Sequence, residues 1–141
     1  MITDYLGVKN ALTKDSVESA NTFAKKLSAD LRAVPMDKFT PSQRDIWMEH
    51  YEVLLKNSDH IGSSAEIKHQ RKHFADLSTH LYKLLDGLKI NTTALFYQYC
   101  PMADAYWISE TSQIANPYYG RSMSTCGSTK NELPAIKEQG R

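Results

Sequence analysis

Three stretches of this chain open in the manner of helices, and each is followed by a stripe of apolar residues at helical spacing. They are DSVE, with Asp15 and Glu18; TPSQ, with Thr40, Pro41 and Gln43; and SSAE, with Ser63 and Glu66. In each, a short polar side chain stands where it can accept from the backbone N–H groups that a first helical turn leaves without partners. Pro41 suits the first helical position, where its missing N–H is not needed. After Asp15, the residues Val17, Ala20, Ala24, Leu27, Leu31 and Val34 recur at steps of three and four until Pro35. After Thr40, Trp47, Tyr51, Leu54, Ser58 and Ile61 do the same up to Gly62. Ile67, Phe74, Leu77, Leu81, Leu84, Leu85 and Leu88 follow Ser63 in the same way, and Tyr5, Val8 and Leu12 mark a shorter leading helix. Three long helices plus a short N-terminal one, joined by short connections, predict an all-α fold, an antiparallel up-and-down helical bundle.

From Thr93 the pattern changes. TALFYQYC is short and aromatic, as a strand or extended segment is, and the residues beyond it are rich in Asn, Pro, Gly, Ser and Tyr. They read as an irregular aromatic-rich C-terminal tail with one helical turn around SETSQIA. A tail this long in a compact domain is expected to wrap the bundle and to carry function. The expected organisation is a single helical-bundle domain with wrapped tail over residues 1–127 and a flexible C-terminal tail over 128–141. A chain of 141 residues suits one domain whose core does not depend on a metal or a disulfide. Its 17 basic and 16 acidic residues leave a net charge of +1, which builds no one-signed field for nucleic acid or an anionic membrane. No apolar run approaches the roughly 20 residues of a transmembrane segment.

The tail also holds both cysteines, each with a methionine nearby, in YCPM and MSTC. Thiolate and thioether are soft donors that select Cu(I), with zinc or silver where thiolate dominates. If the segment is extended, the side chains of Cys100 and Met102 leave on the same side. Met123 and Cys126 lie three apart, a separation a turn closes, and Gly127 accepts a backbone angle that other residues resist. Cys100, Met102, Met123 and Cys126 are therefore candidate metal ligands, with His60, at the end of the second long helix, a further donor facing the tail. The same residues fit two other readings. One is a Cys100–Cys126 disulfide closing a loop of about 25 residues, a stabilisation of roughly 3 kcal/mol; the other is two small buried hydrophobes beside two methionine fillers.

His69, His73 and His80 fall within about 40° of one another on the third long helix, about 90° from the centre of its apolar stripe, and read as a polar flank. Gln70, near the stripe's centre, reads as a buried amide bonded to backbone of the tail or a neighbouring helix. Arg71, at the edge, reads as a clasp for a carboxylate or for tail carbonyls. With no G-x-S-x-G, no Gly-rich phosphate loop and no paired carboxylates in an apolar run, nothing points to an enzyme.

The motifs HI (His60, Ile61), IKHQRKHFADLS (Ile67 to Ser78), YCPMA, YWIS, NPYYG and the closing M and CG, taken together, resemble a family of bacterial domains of unknown function. Its members occur as stand-alone exported proteins and as domains appended to periplasmic adaptor subunits of copper and silver efflux systems. The likeness runs from Tyr5 to Gly127, and the tail motifs are its specific part. The family's Q-R-x-x-F-x-x-L-S matches Gln70, Arg71, Phe74, Leu77 and Ser78, and C-P-M-A matches Cys100, Pro101, Met102 and Ala103. N-P-Y-x-G matches Asn116, Pro117, Tyr118 and Gly120, M-x-x-C-G matches Met123, Cys126 and Gly127, and H-I matches His60 and Ile61. The resemblance implies a periplasmic or otherwise exported, mostly helical domain. It would bind copper as an accessory to heavy-metal efflux, with an efflux adaptor or other envelope protein as partner. The alternative is a structural or protein-interaction module stapled by the Cys100–Cys126 disulfide.

Overall fold

The structure, a computed structural model, describes residues 1–136. It contains four α-helices, α1 (Ile2–Thr13), α2 (Val17–Ala33), α3 (Pro41–Ser63) and α4 (Ile67–Leu88), followed by strands β1 (Leu95–Cys100), β2 (Ala105–Ser109) and β3 (Ser128–Leu133). The helices follow the apolar stripes, and α1 packs on α2, α2 on α3 and α3 on α4. Their buried faces meet in one core that includes Tyr5, Leu12, Leu27, Trp47, Ile61, Phe74 and Leu81.

Two of the three start signals are shifted. Thr40 does cap α3, its hydroxyl accepting from Gln43 N–H while Gln43 accepts from Thr40 N–H. At α2 the cap is Ser16, which accepts from Ser19 N–H, because Asp15 sits at a φ of 59° in the left-handed region. At α4 the helix begins only at Ile67, after Glu66, without a side-chain cap.

The all-α expectation is wrong: the protein is mixed α and β, a helical bundle with a three-stranded antiparallel sheet in the order β2-β1-β3. The stretch expected to be an irregular tail supplies this sheet. β1 and β2 are joined by the tight Pro101–Asp104 turn, and β3 returns to the other side of β1 after the long Glu110–Gly127 connection. β3 falls in the segment expected to be a flexible tail. Its residues STKNEL are exposed at five of six positions, so an edge strand here carries no alternating apolar signal and is held by its backbone pairing to β1. The remainder of that expected tail, 137–141, lies outside the described residues. SETSQIA forms bends rather than a helical turn, and its Thr111 and Ser112 carbonyls accept from the buried Gln98 amide.

The sheet lies against α4 and α1. Tyr97 of β1 stacks on Tyr82 of α4, while Tyr5 of α1 stacks on Phe74, donates to or accepts from Ser78 Oγ at 2.6 Å, and accepts from the Ile108 N–H of β2. Lys9, buried to 2% exposure, crosses from α1 to bond Ser109 and Glu110 at the end of β2.

Candidate metal centre

Antiparallel pairing places Tyr99 of β1 opposite Ser128 of β3, so the end of one strand lies beside the entrance to the other. Cys100 closes β1 and is buried; Cys126, half-buried, stands two residues before β3. Both are free thiols, and their Sγ atoms are 3.4 Å apart. A zinc-type dithiolate with metal–sulfur bonds of about 2.3 Å at a tetrahedral angle holds its sulfurs about 3.8 Å apart. A few tenths of an ångström separate the two arrangements.

The surroundings shift the two thiols in opposite directions. Burial pushes the Cys100 thiol up, but the Ala103 N–H, the Cys126 thiol, the Asn116 amide and the Met102 N–H all donate toward its sulfur and hold it below the usual thiol range. Cys126 is pushed up, first by donating to Cys100 and then by desolvation. Of the two, Cys100 is thus the one whose surroundings favour the thiolate, the form that ligates metal.

Met102 does not share a strand face with Cys100. The chain turns at Pro101, so strand alternation ends there, and Met102 stands on the hairpin turn with 64% of its surface exposed. Met123 and Cys126 are joined by the expected turn, the Cys126 N–H donating to the Met123 carbonyl at 3.3 Å, and Met123 is half-buried. Gly127 has a φ of 138°, and a Cβ there would meet the Trp107 ring and the Tyr99 carbonyl at 2.9 Å each.

His60 belongs to a different neighbourhood. Its ring stacks on His73 at 4.4 Å and lies 6.1 Å from His69, both on α4. At about 100° per residue, His69 and His73 occupy the side of α4 roughly opposite Arg71, Ser78 and Tyr82, the residues that meet the tail, the α1 tyrosine and β1. Sequence reasoning aimed His60 at the tail; the α3–α4 hairpin, whose connection is only Ser64–Glu66, turns it toward α4 instead. The polar flank of His69, His73 and His80 lines the α3–α4 contact, with His80 Nδ1 3.0 Å from His50 Nδ1.

What holds the sulfur pair together is the NPYYG loop. Asn116 is buried; its amide donates to the Cys126 carbonyl at 2.8 Å, and its Oδ1 accepts from the Tyr118 and Tyr119 N–H groups. The Tyr118 hydroxyl donates to the Tyr106 carbonyl of β2. Arg71 donates through Nε to the Pro117 carbonyl and through Nη2 to the Leu12 carbonyl and to Asp15, joining carboxylate and tail carbonyl as the sequence suggested. Gln70 donates to the Val17 and Ile61 carbonyls, bonding neighbouring helices. Asn116 was given no role by the sequence beyond its motif; the Asn-Pro pair, a turn signal, was the available clue.

A family model described as Protein of unknown function (DUF3347) matches residues 1–93, which span the four helices and stop short of β1. No curated protein and no solved structure matches the chain.

Proposed function

The chain belongs to the family described as Protein of unknown function (DUF3347), and from that premise we propose that it is a soft-metal-binding domain of the bacterial cell envelope, accessory to heavy-metal efflux or resistance. Cu(I) is the leading ion, with zinc or silver as alternatives. The observation that carries this reading is the 3.4 Å approach of two free cysteine sulfurs, with donors aimed at Cys100 that favour its thiolate form. A thiolate beside a second sulfur is the donor set soft cations prefer. Met102 and Met123 sit on the turns that carry the two cysteines and would bring thioethers to the ion by side-chain rotation. His60 is left out of this set, because its partners are His69 and His73. The envelope setting, and an efflux adaptor or other envelope protein as partner, rest on the likeness of the tail motifs. Among the described residues no helix is long and apolar enough to cross a membrane.

The same sulfur approach favours one other reading, a structural or interaction module in which Cys100 and Cys126 form a permanent disulfide. Counting accessible thiols in protein purified without reductant separates the two: two thiols for the metal site, none for the staple. The direct test is an anaerobic Cu(I) titration of reduced protein against a competing chelator, beside a Cys100→Ser, Cys126→Ser variant. One-to-one binding lost in the variant is the expected result; equal behaviour of the two proteins overturns the reading.

A further inference from the structure

We infer that His60, His69 and His73 form a second metal site, independent of the sulfur pair, for a divalent cation that prefers nitrogen donors. Among the described residues these three histidines bring one ligand atom each to within 4.8 Å of one another.

The hydrogen bonds around two of them fix which nitrogen faces the centre. Asn57 is buried, and its amide donates to the Val53 carbonyl at 2.9 Å, so its Oδ1 is the atom turned to His73 Nδ1 at 2.8 Å. An amide oxygen only accepts, so His73 carries its proton on Nδ1 and its Nε2 is a bare lone pair. At His69 the partner of Nδ1 is the Ser64 hydroxyl, 3.2 Å away, whose own proton goes to the Glu66 carbonyl. With the hydroxyl proton on that carbonyl, His69 Nδ1–H donates to Ser64 and its Nε2 is bare as well. The two Nε2 atoms are 3.0 Å apart. Two lone pairs held face to face at that distance repel unless a cation lies between them, and the candidates are a proton or a metal ion. Nitrogens bound to zinc at 2.0–2.1 Å with a tetrahedral angle stand about 3.4 Å apart, so a slight opening admits the ion. Outer hydrogen bonds from the far ring nitrogens to Asn57 and Ser64 are the arrangement that orients histidine ligands in metal sites.

His60 supplies the third donor. It is exposed, makes no side-chain hydrogen bond among the described residues, and lies with its ring 16° from parallel to that of His73. A rotation of this side chain turns a nitrogen inward without breaking any bond. The backbone that carries the three is already tied: Asn21 of α2 donates to the Ile61 and Ser64 carbonyls, and Gln70 donates to Ile61 as well. The hairpin geometry is thus set before any ion arrives. Three imidazoles with no thiolate suit Zn(II), Cu(II) or Ni(II) rather than Cu(I), and leave a coordination position open to water. The His50–His80 pair, two nitrogens with no third, is a built-in comparison.

The test uses the full chain carrying Cys100→Ser and Cys126→Ser, so that no thiolate contributes, and Zn(II) in competition with a chromophoric chelator. The expected result is one Zn(II) per chain, with affinity reduced about 10-fold or more by His69→Ala and by His60→Ala and unchanged by His80→Ala. Imidazole nitrogen NMR should show the Nε2 signals of His69 and His73 moving on addition of Zn(II). His60 and His69 are exposed, and circular dichroism verifies that all three variants remain folded. Absence of Zn(II) binding in the cysteine-free chain, or equal affinity in the His69→Ala and His80→Ala variants, overturns the inference. Because the thiols are already gone, the result is independent of the Cu(I) titration.

Discussion

Arg71 and Asp15 meet at 2.7 Å, and this ion pair knots the α1–α2 turn to the loop that carries the tail motif. Asp15 also accepts the Arg121 N–H through its other oxygen, and Arg71 bonds two carbonyls, so each partner serves both sides of the junction. Lysine has one point charge where arginine has a planar fork, and cannot reproduce these bonds. Arg71→Lys should destabilise the protein by about 1.5–3 kcal/mol, the range for hydrogen bonds to charged groups. A urea midpoint within error of wild type would contradict this account.

Gly120 approaches the same knot from the tail. Its φ is 56°, and a Cβ there would lie 2.0 Å from Asp15 Oδ1 and 2.7 Å from Arg71 Nη2. Gly120→Ala should cost about 2–4 kcal/mol from left-handed strain and displacement of the pair. In an Asp15→Ala background the added cost should shrink, because the nearest clash is gone; additivity of the two changes in thermal unfolding would rule out this geometry.

The Lys9–Glu110 pair gives the fold an acid limb. Burial pushes the Glu110 carboxyl up, but the Asn10 amide and Lys9 outweigh it and hold it down at about 2. A carboxyl whose folded value lies below its unfolded value, about 4.3, stabilises the protein above that unfolded value. This contribution is lost as pH falls from about 4.3 toward 2. The Glu110 side chain is 41% exposed, so solvent screening limits the effect to about 1 kcal/mol. Urea midpoints measured from pH 6 to pH 2 should fall less steeply in Glu110→Gln than in wild type, although the variant starts lower because Lys9 stays buried with a weaker partner.

Asn116 positions Cys126 without touching an ion. Asn116→Ala removes the donor to the Cys126 carbonyl and the acceptor of two loop N–H groups. It should cost about 2–3 kcal/mol and, by loosening the sulfur pair, weaken Cu(I) binding about 10-fold. Chelator competition on the refolded variant measures the second effect, and Asn116→Asp, which keeps the acceptor but not the donor, should fall between the two.

Sequence and structure agree where burial is periodic. The apolar stripes of Ala20 to Leu31 and Phe74 to Leu88 locate α2 and α4 because each helix buries one face along its whole length. The sheet was hidden for the opposite reason. β3 exposes Ser128 to Glu132, and its stability lies in backbone bonds to β1 that no side-chain pattern records. Cys100 and Cys126 were legible as a pair because soft donors are rare, whereas the place of Met102 depended on a hairpin turn at Pro101 that a local extended reading misses. His60 was misdirected because its place at the end of a long helix does not say which neighbour it will meet, and that neighbour is α4.

The strand order also sets a timetable. β2 reaches β1 through the tight Pro101–Asp104 turn, whereas β3 must wait for closure of the Glu110–Gly127 connection. The two sulfurs sit on opposite sides of that slower joint, one at the end of β1 and one at the entrance to β3, so they become neighbours only when the last strand has docked. An ion bridging them would act as a latch on that strand, slowing amide exchange along β3 more than in the helices, and a partly synthesised chain would have no assembled sulfur pair to offer it until β3 had closed on β1.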